Sequence, residues 1–253
     1  MAARLQLVVP CYNEAARLDA EAFLAFVSSR TDVGLLFVDD GSTDGTATVL
    51  DDVAHRGAGR TTALVLPRNV GKAAAVQHGI QAALDMQPDF VGYWDADLAT
   101  PLDAVDEFLN VLDGNPDIDV VMGARVKLLG RRIDRHAMRH YAGRVFATAA
   151  SLALGLDVYD TQCGAKIFRA NALIREVFAT PFRSQWVFDV EILARYVTLT
   201  HNGRGAGIYE FPLTRWVDVA GSKVRLRHGV RALLDILRIW QRSDRWDNAA
   251  PSR

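Results

Sequence analysis

The chain predicts an α/β domain with a mostly parallel central sheet flanked by helices. Three observations carry that expectation. Short apolar runs alternate with helix-patterned stretches through roughly the first hundred residues. The runs are continuous rather than alternating, as in strands buried on both faces. Polar clusters fall where the runs and the loop before the third helix end: Tyr12-Asn13-Glu14, Asp39-Asp40, Asn69-Gly71-Lys72 and Asp95-Asp97. In parallel sheets that carboxyl edge is where ligands lie.

The elements follow in order. Leu5 to Pro10 reads as a buried strand, and Ala15 to Ser29 as a helix with Leu18, Phe23, Phe26 and Val27 at helical spacing. Val33 to Val38 is a second strand, closed by the turn Asp39 to Thr46 and a helix from about Ala47. Thr62 to Leu66 is a third strand, Pro67 to Gly71 a loop and Lys72 to Met86 a helix. Phe90 to Trp94 is the fourth strand, completing a Rossmann-like half. Beyond it, Leu102 to Leu112 reads as helix, Asp119 to Gly123 as strand, and Arg125 to Arg144 as a basic loop entering a helix that continues over Phe146 to Leu154. Gly164 to Phe168 is a strand, Phe188 to Tyr196 a helix, Ile208 to Pro212 an edge strand and Lys223 to Arg242 a long final helix. The expected division is a domain over 1–222 and a basic amphipathic helix with a short tail over 223–253.

The bulk properties exclude several classes. A chain of 253 residues, 50% hydrophobic and 23% charged, suits a soluble globular domain with a substantial core. A net charge of -1 leaves no overall bias towards nucleic acid. Cys11 and Cys163 lack metal-ligand spacing and read as reduced thiols of a cytoplasmic protein. Met1 to Arg4 is too short for a secretory leader. The apolar stretch Val145 to Leu156 falls short of the ~20 residues that span a bilayer, so the expectation is no transmembrane segment and at most peripheral membrane contact.

Asp95-Ala96-Asp97 at the exit of the fourth strand is the chemical centre of the sequence. In extended backbone that spacing sends both carboxylates to one side. Two acids leaving a buried strand need a positive partner, and a divalent cation shared with a diphosphate supplies one. The other reading is a helix N-cap opening at Asp97 to Pro101. Alone, D-x-D does not choose between them. The G-x-G-x-x-G turn of dinucleotide enzymes is absent, and Gly71-Lys72 is followed by Ala73 without the upstream glycine of a P-loop.

A family resemblance gathers these pieces. Val8 to Glu14, Val38 to Thr46, Asn69-Val70-Gly71-Lys72 and Asp95-Ala96-Asp97 resemble the inverting GT-A glycosyltransferases of family 2. Gly123-Ala124-Arg125, Asp160 to Lys166, Trp186 to Glu191 and Gly221-Ser222-Lys223 resemble the dolichyl-phosphate and other polyprenyl-phosphate glucosyl- and mannosyltransferases, the glucosyl branch more closely. The resemblance covers nearly the whole chain. It implies a nucleotide diphosphate sugar as donor, with UDP-glucose favoured, a polyprenyl phosphate as acceptor and Mg2+ or Mn2+ as cofactor. It implies that Pro10, Tyr12, Glu14 and Asp40 hold base and ribose, that Gly71, Lys72, Asp95 and Ala96 meet the sugar nucleotide, and that Asp97 binds the metal. Arg125, Arg131, Ser222 and Lys223 would face donor or acceptor phosphate. In the mannosyl branch a Gln often stands two positions after the D-x-D; here that position is Ala99, which leaves the metal more water or phosphate oxygens.

The mechanism expected is one in-line displacement. A phosphate acceptor is already an anion near neutral pH and needs no strong base. Asp189, with Glu191 beside it, is the reserve for a proton-accepting role should the acceptor be a hydroxyl; His78, His136 and His140 have weaker claims. Asp44 reads as a turn-shaping and capping residue. Two regions suit a lipid surface: the basic stretch from Arg125 through Arg131, Arg132, Arg135, Arg139 and Arg144, and the final helix, whose apolar stripe is equally explained by packing on the domain. The rival functions are a family 2 transferase acting on a saccharide or soluble hydroxyl, a nucleotidyltransferase, which would carry a Gly-rich loop after the first strand, and a non-catalytic nucleotide-sugar binder.

Overall fold

The computed structural model describes residues 3–134, 137–200, 205–218 and 235, with backbone alone over 137–145. Seven strands form one sheet: β1 (Leu5–Cys11), β2 (Val33–Asp39), β3 (Thr61–Val65), β4 (Phe90–Trp94), β5 (Val120–Ala124), β7 (Ala165–Arg169) and β8 (Ile208–Pro212). Their order is β3-β2-β1-β4-β7-β5-β8. All neighbours run parallel except β7, which is antiparallel to both β4 and β5. Two short strands, β6 (Arg132–Asp134) and β9 (Arg215–Val217), pair parallel as a separate sheet.

Helices cover both faces, as the continuous apolar strands require. On one side α1 (Ala20–Ser28), α2 (Thr46–Arg56) and α4 (Ala104–Gly114) bury Phe23, Leu50 and Phe108 against Leu5, Leu7 and Val9. On the other, α3 (Lys72–Asp85), α6 (Ala172–Val177) and α7 (Phe188–Thr200) bury Val76, Ile174 and Ile192 against Val8, Val91 and Phe168. The helix α5 (Ala137–Leu154) packs beside α7 through Ala150 against Val187 and Val190.

The first four strands lie within a residue or two of the expected bounds, and among the described residues β8 is an edge strand as expected, bonded only to β5. Three departures stand out. The first helix begins at Ala20 rather than Ala15: Arg17 N and Leu18 N close a separate turn onto Glu14 O, and Asp19 Oδ1 caps the helix by accepting from Ala22 N at 3.0 Å. The stretch read as a basic loop contains β6, whose partner β9 lies far along the chain. The short α6 was not anticipated; Asn171 caps it from Ile174 N at 2.9 Å. The expected final helix over 223–242 lies outside the described residues. Among the described residues no helix is long and apolar enough to cross a membrane.

Candidate active site

The loops at the carboxyl ends of β1, β2 and β4 converge with the first turn of α3. Asn13, at φ 53, accepts from Thr43 N at 2.9 Å through its side chain, while its own N–H donates to Ser42 Oγ at 3.0 Å. Glu14 N donates to Thr46 Oγ1 at 2.8 Å. The β1 and β2 loops are thus one bonded unit. Asp44 orders it by accepting from Thr46 N and Ala15 N, the turn-shaping role expected of it.

Asp40 is 3% exposed. Its two oxygens accept from Val70 N at 2.7 Å, Gly71 N at 2.9 Å and Asn69 Nδ2 at 3.0 Å. Burial pushes this carboxyl above the usual carboxylate range, against the pull of those bonds. These three bonds also give Asp40 a second task, holding the loop that opens α3. Gly71 stands at that opening with φ 92, a conformation that a side chain strains.

That loop delivers Lys72, the first residue of α3, to the end of β4, where its Nζ lies 2.5 Å from Asp95 Oδ1. The Lys72 side chain is 42% exposed. Burial lowers its pKa, and the charges of Asp95, Asp189 and Asp97 outweigh that effect, so it is raised and the ammonium form is held. Asp95 Oδ1 is buried and accepts no hydrogen bond of good geometry.

The strand β4 ends at Trp94, so Asp95 and Asp97 share a turn rather than one side of an extended strand. Trp94 Nε1 anchors the turn by donating to Thr100 O at 2.7 Å, and Leu98 adopts φ 51 within it. Asp97 Oδ1 accepts from Ala99 N at 3.1 Å. It caps this turn and not a helix, since α4 starts only at Ala104. Asp97 is exposed, and partial burial followed by the Asp95 charge raises its pKa. Ala96, between them, is buried.

Behind Asp95 lies Gly164. A Cβ there would fall 1.9 Å from Asp95 Oδ2, so this close approach demands glycine. Gly164 O also accepts from Asp95 N at 2.9 Å. Beneath this contact is a fully buried cation. Lys166 Nζ donates to Thr161 O at 2.9 Å, Cys163 O at 2.7 Å and Asp189 Oδ1 at 2.6 Å. Tyr93 OH donates to the same Asp189 oxygen, and burial, then the Asp189 charge, pushes the phenol well up. Asp189 is 5% exposed. The reserve proton acceptor is thus a clamped ion-pair partner. Glu191 is equally committed, to Arg195 at 2.7 Å and to Arg183 N at 2.9 Å. Lys166 went unsingled in the sequence, although a lysine within Ala165-Lys166-Ile167-Phe168 signals a buried charge in need of an anion.

The remaining expected residues are distributed as follows. Pro10 lies in β1 and Tyr12 in the bend just after it, half-buried. Glu14 pairs with Arg17 at 2.5 Å, and its Oε2 is buried without a hydrogen bond. Arg125 grips Asp160 with Nε at 2.6 Å and a terminal nitrogen at 2.8 Å, and lies 5.3 Å from the Trp216 ring. Two of its five N–H donors are engaged by that carboxylate. Arg131 sits in the turn before β6. Ser222 and Lys223 lie outside the described residues.

The arrangement fits a hard cation. The donors are carboxylate oxygens, one of them a buried atom without a hydrogen bond. Among the described residues no group of three His, Cys, Asp or Glu side chains gathers as a closed metal site. Asp97, with Asp95, would leave most coordination positions to phosphate and water, as Mg2+ and Mn2+ accept.

The chain matches the model of glycosyl transferase family 2 over residues 6–176. It is 28% identical over 244 residues to a dolichyl-phosphate beta-glucosyltransferase of Trichomonas vaginalis, covering 92% of this chain and 69% of that one. To the dolichyl-phosphate beta-glucosyltransferase of Saccharomyces cerevisiae it is 28% identical over 243 residues, covering 88% and 69%. Among solved structures, glucosyl-3-phosphoglycerate synthase of Mycobacterium tuberculosis, in complex with Mn2+, UDP and glucosyl-3-phosphoglycerate, superposes with a TM-score of 0.65 at 20% identity, over 95% of this chain and 80% of that one. That likeness shows a shared GT-A fold. With a family match over most of its length and the strand order and carboxyl-edge site described above, the chain belongs to glycosyltransferase family 2.

Proposed function

We propose that the protein transfers a hexosyl group, glucose in preference, from a nucleotide diphosphate sugar, UDP-glucose in preference, to a polyprenyl phosphate of the dolichyl type, with inversion. The observation that carries the reading is the Lys72–Asp95 pair beside an exposed Asp97 at the carboxyl edge of β4. Relatives named as dolichyl-phosphate beta-glucosyltransferases support the acceptor class.

In the reaction an acceptor phosphate oxygen forms its bond to the anomeric carbon as the bond to the diphosphate breaks, and the electron pair leaves on the diphosphate. Lys72 supplies positive charge where the negative charge grows. Asp97 and Asp95 would hold a divalent cation, which when bound supplies Lewis acidity to the leaving diphosphate. The bonded loops of Asn13, Ser42 and Thr43 give the nucleotide a rigid floor, and rigid positioning lowers the barrier without any proton transfer. No base is called for: the acceptor is an anion at neutral pH, and Asp189 is held by Lys166 and Tyr93.

Incubation with labelled sugar nucleotides, polyprenyl phosphate and Mg2+ or Mn2+ tests the reading. Label is expected in the lipid phase as a phosphodiester, with UDP-glucose the best donor. Label only in a saccharide product, or no transfer from any donor, overturns it.

A further inference from the structure

Two leucines stand at the tip of the turn between β5 and β6. Leu129 is fully exposed and Leu128 is 50% exposed. The turn is tight: Arg131 N donates to Leu128 O at 3.1 Å, and Gly130 takes φ 80. Single exposed leucines are ordinary on a protein surface. The setting of this pair is not.

Next to the tip, β6 and β9 place Ile133 opposite Trp216 on a buried face, so Arg132 and Arg215, also opposite one another, share the outer face. Like charges in register on neighbouring strands repel, and an anionic partner relieves them. Lys127 is exposed just before the leucines, and Arg131 follows them. Asp134 stands in register with Val217, which is 44% exposed, and Asp218 follows. Among the described residues, four cations face Asp134 and Asp218 around an apolar tip, and Glu107 accepts from Thr214 beside Arg215.

This face adjoins the transfer site. Val217 N donates to Ala99 O at 3.1 Å, which joins β9 to the turn that carries Asp95 and Asp97. Arg132 N donates to Thr214 O at 2.9 Å and joins β6 to the same unit. The face is thus tied through Ala99 to the turn that carries the two carboxylates.

We propose that the Leu128 and Leu129 tip with the Arg132 and Arg215 face docks on an anionic lipid bilayer, the leucines entering the headgroup boundary and the arginines meeting lipid phosphate. Apolar side chains ringed by cations are the chemistry of interfacial binding. The inference deepens the polyprenyl-phosphate reading and rests on it for its purpose, since the docked face would bring a membrane-borne phosphate to Asp97.

Flotation of the full chain with phosphatidylcholine vesicles, with and without phosphatidylserine, tests it. The wild type is expected to float with the anionic vesicles at low salt and to be released at high salt. The double substitution Leu128→Asp/Leu129→Asp is expected to abolish flotation. Arg132→Gln/Arg215→Gln is expected to weaken partition by about five-fold per cation. Variants that float as the wild type does, or a wild type that floats with neither vesicle, overturn the proposal. Because these side chains are exposed, thermal melting is expected to be unchanged. A second readout needs no disruptive change: Leu129→Cys carrying a polarity-sensitive fluorophore, selective because Cys11 and Cys163 are buried. Its emission is expected to shift to the blue on anionic vesicles, and an unshifted spectrum overturns insertion. Transfer to a water-soluble short-chain polyprenyl phosphate, measured alongside, separates the two readings. Transfer without flotation removes only the docking surface; flotation without transfer removes only the acceptor.

Discussion

Lys72 Nζ lies 2.5 Å from Asp95 Oδ1, a buried oxygen that accepts no hydrogen bond of good geometry among the described residues. The pair joins the start of α3 to the end of β4 and sets a cation and an anion side by side where a diphosphate would lie. Lys72→Met is expected to lower kcat/KM by about 100-fold or more, the scale of removing a preorganised charge from a transition state. Melting temperature should fall modestly, because a buried Asp95 oxygen loses its ion partner, although both side chains are about a third or more exposed. A variant with unchanged kcat/KM would place the lysine outside the chemistry.

Asp97 titrates above the usual carboxylate range, through partial burial first and the Asp95 charge second. Cation binding needs its ionised form, so Mn2+ affinity should fade as pH drops through that raised value, before an ordinary aspartate would protonate. The stability sign is opposite. A carboxyl whose folded pKa lies above its unfolded one costs stability when ionised, and the ligand-free protein is relieved of that cost as pH falls through the folded value. Asp97→Asn should therefore melt no lower than the wild type at neutral pH while losing its calorimetric response to Mn2+. Undiminished Mn2+ binding in that variant would reassign the metal ligand.

Lys166 and Asp189 form a buried pair 2.6 Å apart. Removing either charge alone strands the other, and Lys166→Met or Asp189→Asn should cost about 3–5 kcal/mol in denaturant unfolding. The double variant should cost less than the sum of the two, as coupled neighbours do. In whatever fraction of Asp189→Asn folds, turnover on a phosphate acceptor should persist; its complete loss at intact fold would restore Asp189 as an essential base.

Gly164 has a Cβ position 1.9 Å from Asp95 Oδ2. Gly164→Ala must displace that carboxylate. Transfer activity should fall by about 10-fold or more, because small misplacements at a reacting centre are costly, and Lys72 should lose its partner. A crystal structure of the variant with Asp95 unmoved would refute the constraint.

Much of this was open to reading along the chain. The strands from Leu5 to Trp94 are continuous apolar runs, and that pattern alone implies a two-sided parallel sheet with its polar clusters at one edge. The turn residues Asp44 and Asn13 and the carboxylates at Asp95 and Asp97 were visible for the same reason: they interrupt apolar periodicity at strand ends. Such signals are local, because each depends on neighbours within a few residues.

What only the folded chain decided is who meets whom. Asp40 and Arg125 are polar residues at the expected edge, and their partners, the loop at Val70 and Gly71 and the carboxylate of Asp160, are far from them in the sequence. Asp189 meets Lys166 and Tyr93 because β7 runs antiparallel beside β4 and delivers its lysine under α7. The pairing of β6 with β9, which lines up Arg132 with Arg215, joins segments far apart in the sequence. Periodicity shows that a side chain is buried or exposed, but a hydrogen bond or ion pair acts over about 3 Å, and at that range long-distance packing alone selects the partner.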